Sequence, residues 1–292
     1  MEFIIENELL KVTVTTWGAQ VKSVVRKCDG VEHIWNANPE VWGYHAPILF
    51  PHAGRVTDST ITVDGKDYTG CKPHGFARLL EHKLVSCDDN TIELELTESP
   101  ETLATWPFKF RLVSTFTLDG DTIHHTLTVE NRDEKTMPFG IGYHPAFTVP
   151  FDDKHTYLDY EFRFDGLESP LCLEQVGGLI GDKHFYLGHN IRAIDIHEHL
   201  FDNDSFCMTG LSSKTLGLYE KDTGRGVVCG ISKFPYVLLW SKPGQPHFVC
   251  IEPWNSLPSP AGSGTDWNDK PAAAILAPGE DWSTTLSTSF VR

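Results

Sequence analysis

The chain has 292 residues, 40% of them hydrophobic, and carries a formal net charge of −16 with a sequence pI near 5.2. That length supports a large core, and that charge opposes binding to nucleic acid or anionic membranes unless a dense basic cluster is present, which the sequence lacks. No apolar run reaches transmembrane length, and Met1-Glu2-Phe3-Ile4-Ile5-Glu6 has neither the basic nor the long apolar region of a signal peptide.

From the N-terminus, Leu10, Val12 and Val14 alternate with polar neighbours, and Val21, Ser23 and Val25 continue the period, which predicts short strands. Asp29-Gly30 is a turn dipeptide, and Asp64-Gly65 inside Ile61–Tyr68 is a hairpin signature. Ile92, Leu94 and Leu96 alternate cleanly. The run from Phe108 to Leu118 turns at Asp119-Gly120 and returns through Ile123 to Val129, the clearest hairpin in the chain. Tyr157 to Phe164 reads as another alternating strand. Residues 165–200, rich in Gly and His, read as a long excursion with a short helical piece. Gly217-Leu218-Tyr219 and Gly226-Val227-Val228-Cys229 are shorter strands, while Tyr236–Trp240 and Phe248–Ile251 are continuous apolar runs of the kind expected for central strands. Residues 255–271 read as a long loop, and Trp282 to Phe290 alternates again. No amphipathic helix of ordinary length, repeat or linker interrupts this pattern. The expectation is one all-β domain over residues 1–292, a large sandwich of antiparallel sheets.

The seven cysteines, at 28, 71, 87, 172, 207, 229 and 250, form no CxxC pair. They are expected to be reduced thiols of a cytoplasmic protein, several of them small core residues.

Five stretches carry candidate chemistry. In Pro138-Phe139-Gly140-Ile141-Gly142-Tyr143-His144-Pro145-Ala146-Phe147, His144 is the one side chain that titrates near neutrality, and Pro145 holds it in extended backbone. Two readings stand for it: a proton-transfer group, or a core histidine bonded to a carbonyl. In Cys250-Ile251-Glu252-Pro253-Trp254 a lone carboxylate ends an apolar strand. Burying it ionised costs several kcal/mol unless it is paired, and burial raises its pKa toward the range of a general base. The alternative is a surface glutamate at a strand end. Pro47–Arg55 and Lys72-Pro73-His74-Gly75-Phe76-Ala77-Arg78 present Arg55, His74 and Arg78. For the arginines the competing reading is a surface ion pair, and for His74 a backbone-bonded turn histidine. Asp202 and Asp204, in Asp202-Asn203-Asp204-Ser205-Phe206, read residue by residue as turn carboxylates. His197-Glu198-His199 lacks a further ligand to complete a metal site. Gly-x-Ser-x-Gly, P-loop and GxGxxG motifs are absent.

Taken in order, Phe50-Pro51-His52-Ala53-Gly54-Arg55, His74-Gly75-Phe76-Ala77-Arg78, Gly142-Tyr143-His144-Pro145-Ala146-Phe147 and Ile251-Glu252-Pro253-Trp254 resemble the aldose 1-epimerase (galactose mutarotase) family, over most of the chain and nearest its shorter branch. The resemblance implies a β-supersandwich and a mutarotase that needs no cofactor. It implies His144 as general acid on the ring oxygen, Glu252 as base on the anomeric hydroxyl and His74 as a second active-site histidine. It also implies Arg55 as a sugar-binding arginine and an aspartate for sugar hydroxyls, placed at Asp204 with Asp202 as the alternative. Trp254, Trp240 and Phe147 offer apolar faces to a sugar. Arg78 belongs to a form of the motif shared with the hexose-phosphate mutarotases, so the substrate is a free aldose or a sugar phosphate. Lys66, Lys72, Arg78 and Lys83 form a local basic excess. Against a phosphate stand the acidic remainder of the chain and the simpler possibility that Arg78 pairs with a carboxylate and braces the His74 turn. Two other classes compete. A glycoside hydrolase needs two carboxylates across the scissile bond, whereas the pair here is His with Glu. A non-catalytic carbohydrate-binding relative would have no need of His144 and Glu252 together.

Overall fold

Leu10, Val12 and Val14 are buried on one face of strand Leu10–Thr15, as their alternation predicts. The strand pairs with Glu2–Glu6 and Gln20–Arg26, the second of which pairs with Val31–Glu32, to make a four-stranded N-terminal sheet. In Gln20–Arg26 the expected phase breaks. Thr13 pairs with Ser23 and Val14 with Val21, so Lys22 is the extra residue of a β-bulge, and Val24 rather than Val25 turns into the core. This computed structural model describes residues 1–244, 246–271 and 274–292.

Two large antiparallel sheets dominate the molecule. The nine-stranded one runs, edge to edge, through Ile191–Asp195, Tyr160–Glu168, Thr215–Glu220, Gly226–Gly230, Asp281–Val291, Thr122–Asn131, Phe110–Asp119, Thr91–Thr97 and Lys83–Cys87. The other runs through Leu179–Tyr186, Leu171–Val176, Phe206–Thr209, Tyr236–Trp240, Phe248–Trp254, Gly142–Tyr143 and Ile48–Leu49, with Ala146–Thr148 also paired to Phe248–Trp254. Between them lies the main core, in which Phe116 and Leu127 from the first sheet join Val249 and Ile251 from the second. The Tyr143 hydroxyl ties the sheets together through the carbonyls of His125 and Thr284. The same core takes Ile5, Leu10 and Val12 from the N-terminal sheet. One shared core predicts one unfolding transition: urea melts followed by tryptophan fluorescence and by far-UV circular dichroism should superimpose. Two separated transitions would contradict this.

Two-residue turns close the hairpins. Asp64 and Gly65 both take positive φ between Thr60–Val63 and Lys66–Thr69, as an Asp-Gly hairpin turn requires. The long hairpin pairs Asp119 with Thr122, which places its turn at Gly120-Asp121, one residue later than expected. The α-helix among the described residues, Pro100–Thr105, is short and capped by Ser99. Tyr157–Asp159 is a 3-10 turn, and the strand expected there begins at Tyr160.

Residues 165–200 depart most from expectation. They hold strands rather than a helical excursion, with Leu171–Val176 and Leu179–Tyr186 joined by a turn of Gly177-Gly178 at positive φ. Leu179–Tyr186 is an edge strand with no fully buried residue, so its side chains show no inside–outside contrast for periodicity to register.

Candidate active site

Parity along the strands decides what faces outward from the eight-stranded sheet. In Phe248–Trp254, Val249 and Ile251 enter the main core, so Phe248, Cys250, Glu252 and Trp254 lie on the opposite face. In the neighbouring chain Tyr143 and Phe147 enter the core, and His144 and Ala146 fall on the outer face. From Tyr236–Trp240, Leu238 and Trp240 face the same way. Over this face lies a cavity of about 390 Å³, in the range of small-molecule sites. It is lined by His144, Glu252, His74, Arg55, Arg78, Asp204, Trp240 and Trp254, all expected at the site from sequence. Phe147 is a correction: it lies three residues from His144, hence on the other face, and packs in the core. Both Asp202 and Asp204 are exposed, but only Asp204 lines the cavity, while Asp202 pairs with His199 Nδ1 at 2.9 Å.

His144 and Glu252 face each other, with Nε2 and Oε2 3.3 Å apart. Glu252 is only 2% exposed. Burial pushes its pKa well above the usual carboxylate range, the negative charge of Asp204 adds to this, and the Trp254 indole opposes it. Among the described residues, Trp254 Nε1 nevertheless makes no well-formed hydrogen bond. Burial lowers His144 to about 3, with the positive charge of Arg78 acting the same way. Each member of the pair is driven toward its uncharged form, carboxylic acid and neutral imidazole, a state with one exchangeable proton between the two facing groups.

Aromatic rings supply the desolvation. Trp42 stacks on the His144 ring at 5.0 Å between centroids, and the edges of Trp240 and His74 approach it at 5.8 and 5.4 Å. Trp42 and Tyr44 line the cavity, and both were missed by sequence reasoning. The signal was available: Trp42-Gly43-Tyr44 is an aromatic pair in a segment with no strand period. The Trp42 backbone is fixed at both ends, its N–H donating to Asn38 O and its carbonyl accepting from Trp35 Nε1. Gln175 and Gly178 also line the cavity, brought there by the hairpin turn that sequence reasoning did not resolve.

His74 is set by its loop. It has φ +65° and Gly75 has φ +71°. His74 N–H donates to Gly54 O at 2.7 Å, while Phe76 and Ala77 N–H groups donate to Phe50 O. Gly54 N–H donates to His74 Nδ1 at 3.1 Å, so Nδ1 is an acceptor and the neutral ring carries its proton on Nε2. Burial, then the charges of His144 and Arg78, keep His74 well below the usual histidine range. A β-carbon at Gly75 would collide with the Phe50 carbonyl oxygen. Gly75→Ala should therefore displace His74 and lower turnover by at least about 10-fold, in line with the cost of misplacing a positioned group. A Gly75→Ala protein with normal turnover would contradict this placement.

Arg78 braces the His74 turn, as expected, but without a carboxylate. Its Nη2 donates to Pro73 O at 2.9 Å, and its guanidinium lies 4.6 Å from the centre of the Tyr44 ring. Among the described residues neither Arg55 nor Arg78 forms an ion pair. Two lysines of the basic excess are engaged elsewhere, Lys83 near Glu95 and Lys66 over Tyr68. His197, Glu198 and His199 sit on an exposed turn where His199 pairs with Glu198 and Asp202. The metal-type donor clusters among the described residues are others: His144 with Cys250 and Glu252, and Asp152 with His155 and Glu220. The second is already threaded by Arg225, which binds both carboxylates.

A family model described as Aldose 1-epimerase matches residues 1–289. The chromosomal protein LacX of Lactococcus lactis subsp. lactis is 32% identical over 287 residues, 95% of each chain. A galactose mutarotase related enzyme from Lactobacillus acidophilus superposes with a TM-score of 0.95 at 28% identity, covering 100% of this chain and 98% of its own. A galactose mutarotase-like protein from Lactobacillus casei ATCC 334 does so at 0.91 and 28%, covering 99% of each.

Proposed function

The chain belongs to the aldose 1-epimerase family, and from that premise we propose that it is a mutarotase, interconverting the α and β anomers of an aldose by acid–base ring opening and closure. The observation that carries this reading is the His144–Glu252 pair, buried at 3.3 Å on the wall of a sugar-sized cavity. Opening a hemiacetal removes a proton from the C1 hydroxyl and adds one to the ring oxygen, on adjacent positions of one ring. The proton count of the catalyst does not change, so a pair that holds one proton suffices. A C1 hydroxyl donating to Glu252 favours the carboxylate, and a ring oxygen accepting from His144 favours the imidazolium, so sugar binding itself sets the pair in its working form. Glu252 then takes the hydroxyl proton as the C1–O5 bond breaks, and His144 delivers its proton to O5. Rotation about C1–C2 and the reverse transfers close the ring on the other face. Each positioned transfer contributes roughly 10²–10⁴-fold.

The His74 Nε2–H is a donor for a sugar oxygen, Arg55 and Asp204 serve the hydroxyls, and Trp254, Trp240 and Trp42 offer apolar faces to the C–H surface. No metal or organic cofactor enters these steps. The seven cysteines are free thiols, which suits a cytoplasmic location, and the net charge of −16 speaks against nucleic acid or anionic lipid as partner. No helix among the described residues is long and apolar enough to cross a membrane.

A phosphorylated aldose is the second reading, and the lack of a carboxylate partner for Arg78 and Arg55 favours it, since arginine binds phosphate bidentately. Measuring kcat/KM for glucose, galactose and their 6-phosphates decides the matter. An advantage of a 6-phosphate of about 100-fold (2.7 kcal/mol), lost in Arg78→Ala, would establish the phosphate reading. Equal or better rates on free sugars would establish the free aldose. No acceleration on any member of the panel would remove the mutarotase reading altogether.

A further inference from the structure

Cys250 takes no part in the proton transfers, yet it lies two residues before Glu252 and therefore on the same, cavity-side face of the strand. The donor atoms of His144, Cys250 and Glu252 all lie within 4.8 Å of one another, and all three residues are buried. We propose that these three side chains form a binding site for a thiophilic divalent cation of the zinc–cadmium class, which displaces the sugar and blocks the enzyme.

The donor set is one imidazole nitrogen, one sulfur and one carboxylate oxygen, the mixture that selects zinc-like ions over magnesium or calcium. Three protein ligands with a fourth, open position is the pattern of accessible zinc sites, and here two of the three, His144 and Glu252, line the cavity while Cys250 is fully buried. Bond lengths of about 2.0–2.3 Å in a tetrahedral site place neighbouring donors about 3.3–3.5 Å apart. His144 Nε2 and Glu252 Oε2 already stand at 3.3 Å. The sulfur has to close at most about 1.3 Å to reach that spacing. Binding releases the thiol proton and the one proton shared by the pair, so the cation enters without oxidation or reduction. Among the described residues, buried His144 Nδ1 has no hydrogen-bond partner. The imidazole thus lacks the outer acceptor that strengthens structural zinc sites, and the affinity falls below theirs.

Inhibition rests on the mutarotase reading, but binding does not, and the test separates them. The full chain, free of any affinity tag and stripped with chelator, is titrated with Co²⁺ in a background of Cys28→Ser and Cys87→Ser, which removes the two exposed thiols. The expected result is a thiolate-to-cobalt charge-transfer band that Zn²⁺ abolishes, that is lost in Cys250→Ala, and whose midpoint moves at least 10-fold to higher Co²⁺ in Glu252→Gln, which keeps the thiol. Zn²⁺ should inhibit turnover competitively with the sugar, and Cys250→Ala should need at least 10-fold more Zn²⁺ for the same inhibition. Absence of the band, its survival in Cys250→Ala, or an unmoved midpoint in Glu252→Gln overturns the site. A Cys250-dependent band in a protein without turnover keeps the site and removes only the mutarotase reading.

Discussion

Replacing Glu252 by Gln should lower kcat by at least about 100-fold, replacing His144 by Asn should do the same, and the double replacement should cost about as much as either single one. The reason lies in the shared proton. Glu252 and His144 are 3.3 Å apart, and burial drives each toward its uncharged form. Neither group can act unless the other supplies or accepts the matching proton, so removing the second partner after the first has little left to remove. Glu252→Gln keeps the shape of the side chain and introduces no buried charge, so the fold should survive. Steady-state mutarotation kinetics beside circular dichroism check both statements. Losses that multiply in the double variant would mean that the two groups act independently.

The second large effect is on stability in mild acid. His33, His52, His82 and His125 are buried away from the pair, and burial lowers them to about 4, 3, 4 and 3 respectively. His33 is packed between the rings of Phe151 and Phe290, and His125 is stacked on Phe116. In the unfolded chain all four titrate near 6.5. The folded pKa values lie below the unfolded ones, so the unfolded state binds more protons as pH falls. Their stabilisation is complete above about pH 6.5 and is lost progressively from there toward pH 4. One pH unit below 6.5 costs about 1.4 kcal/mol per group, on the order of 5 kcal/mol for the four. Net stabilities are only about 5–15 kcal/mol, so urea midpoints should fall sharply between pH 7.5 and pH 5.5. Equal midpoints at the two pH values would show that these histidines are not buried in neutral form.

Glu252 could be singled out from the sequence because its carboxylate interrupts an apolar strand, and the structure places it buried beside His144 on the cavity wall. For His144 the Pro145 restraint left a proton-transfer group and a core histidine both open, and only the resemblance pointed to the first; strand parity places His144 and Glu252 on the same face. The same parity, applied across the three residues from His144 to Phe147, excludes Phe147 from the cavity. The strand order is a different matter. Neither the pairing of Ala146–Thr148 with Phe248–Trp254 nor the convergence of the His74 turn on that edge has a local signal, because both are contacts between distant segments. Trp42 and Tyr44 come from a loop whose conformation is held by single hydrogen bonds to Asn38 and Trp35, and no periodicity records such bonds. The hairpin that brings Gln175 and Gly178 to the cavity is half exposed on both faces, which erased the alternation that would have announced it. Asp204 was placed ahead of Asp202 only by the resemblance, and it is the cavity lining, which includes Asp204 and not Asp202, that separates them.

The central claim is that this cavity exchanges sugar anomers through His144 and Glu252. Magnetisation-exchange NMR on an equilibrated α/β mixture tests it most directly, because it reads interconversion without a coupling enzyme. For at least one aldose of the free and 6-phosphorylated panel, the native protein should produce exchange between the two anomeric signals that is absent without protein and abolished in Glu252→Gln. Exchange of undiminished rate in Glu252→Gln, or none with the folded native protein on any sugar of the panel, would contradict the account.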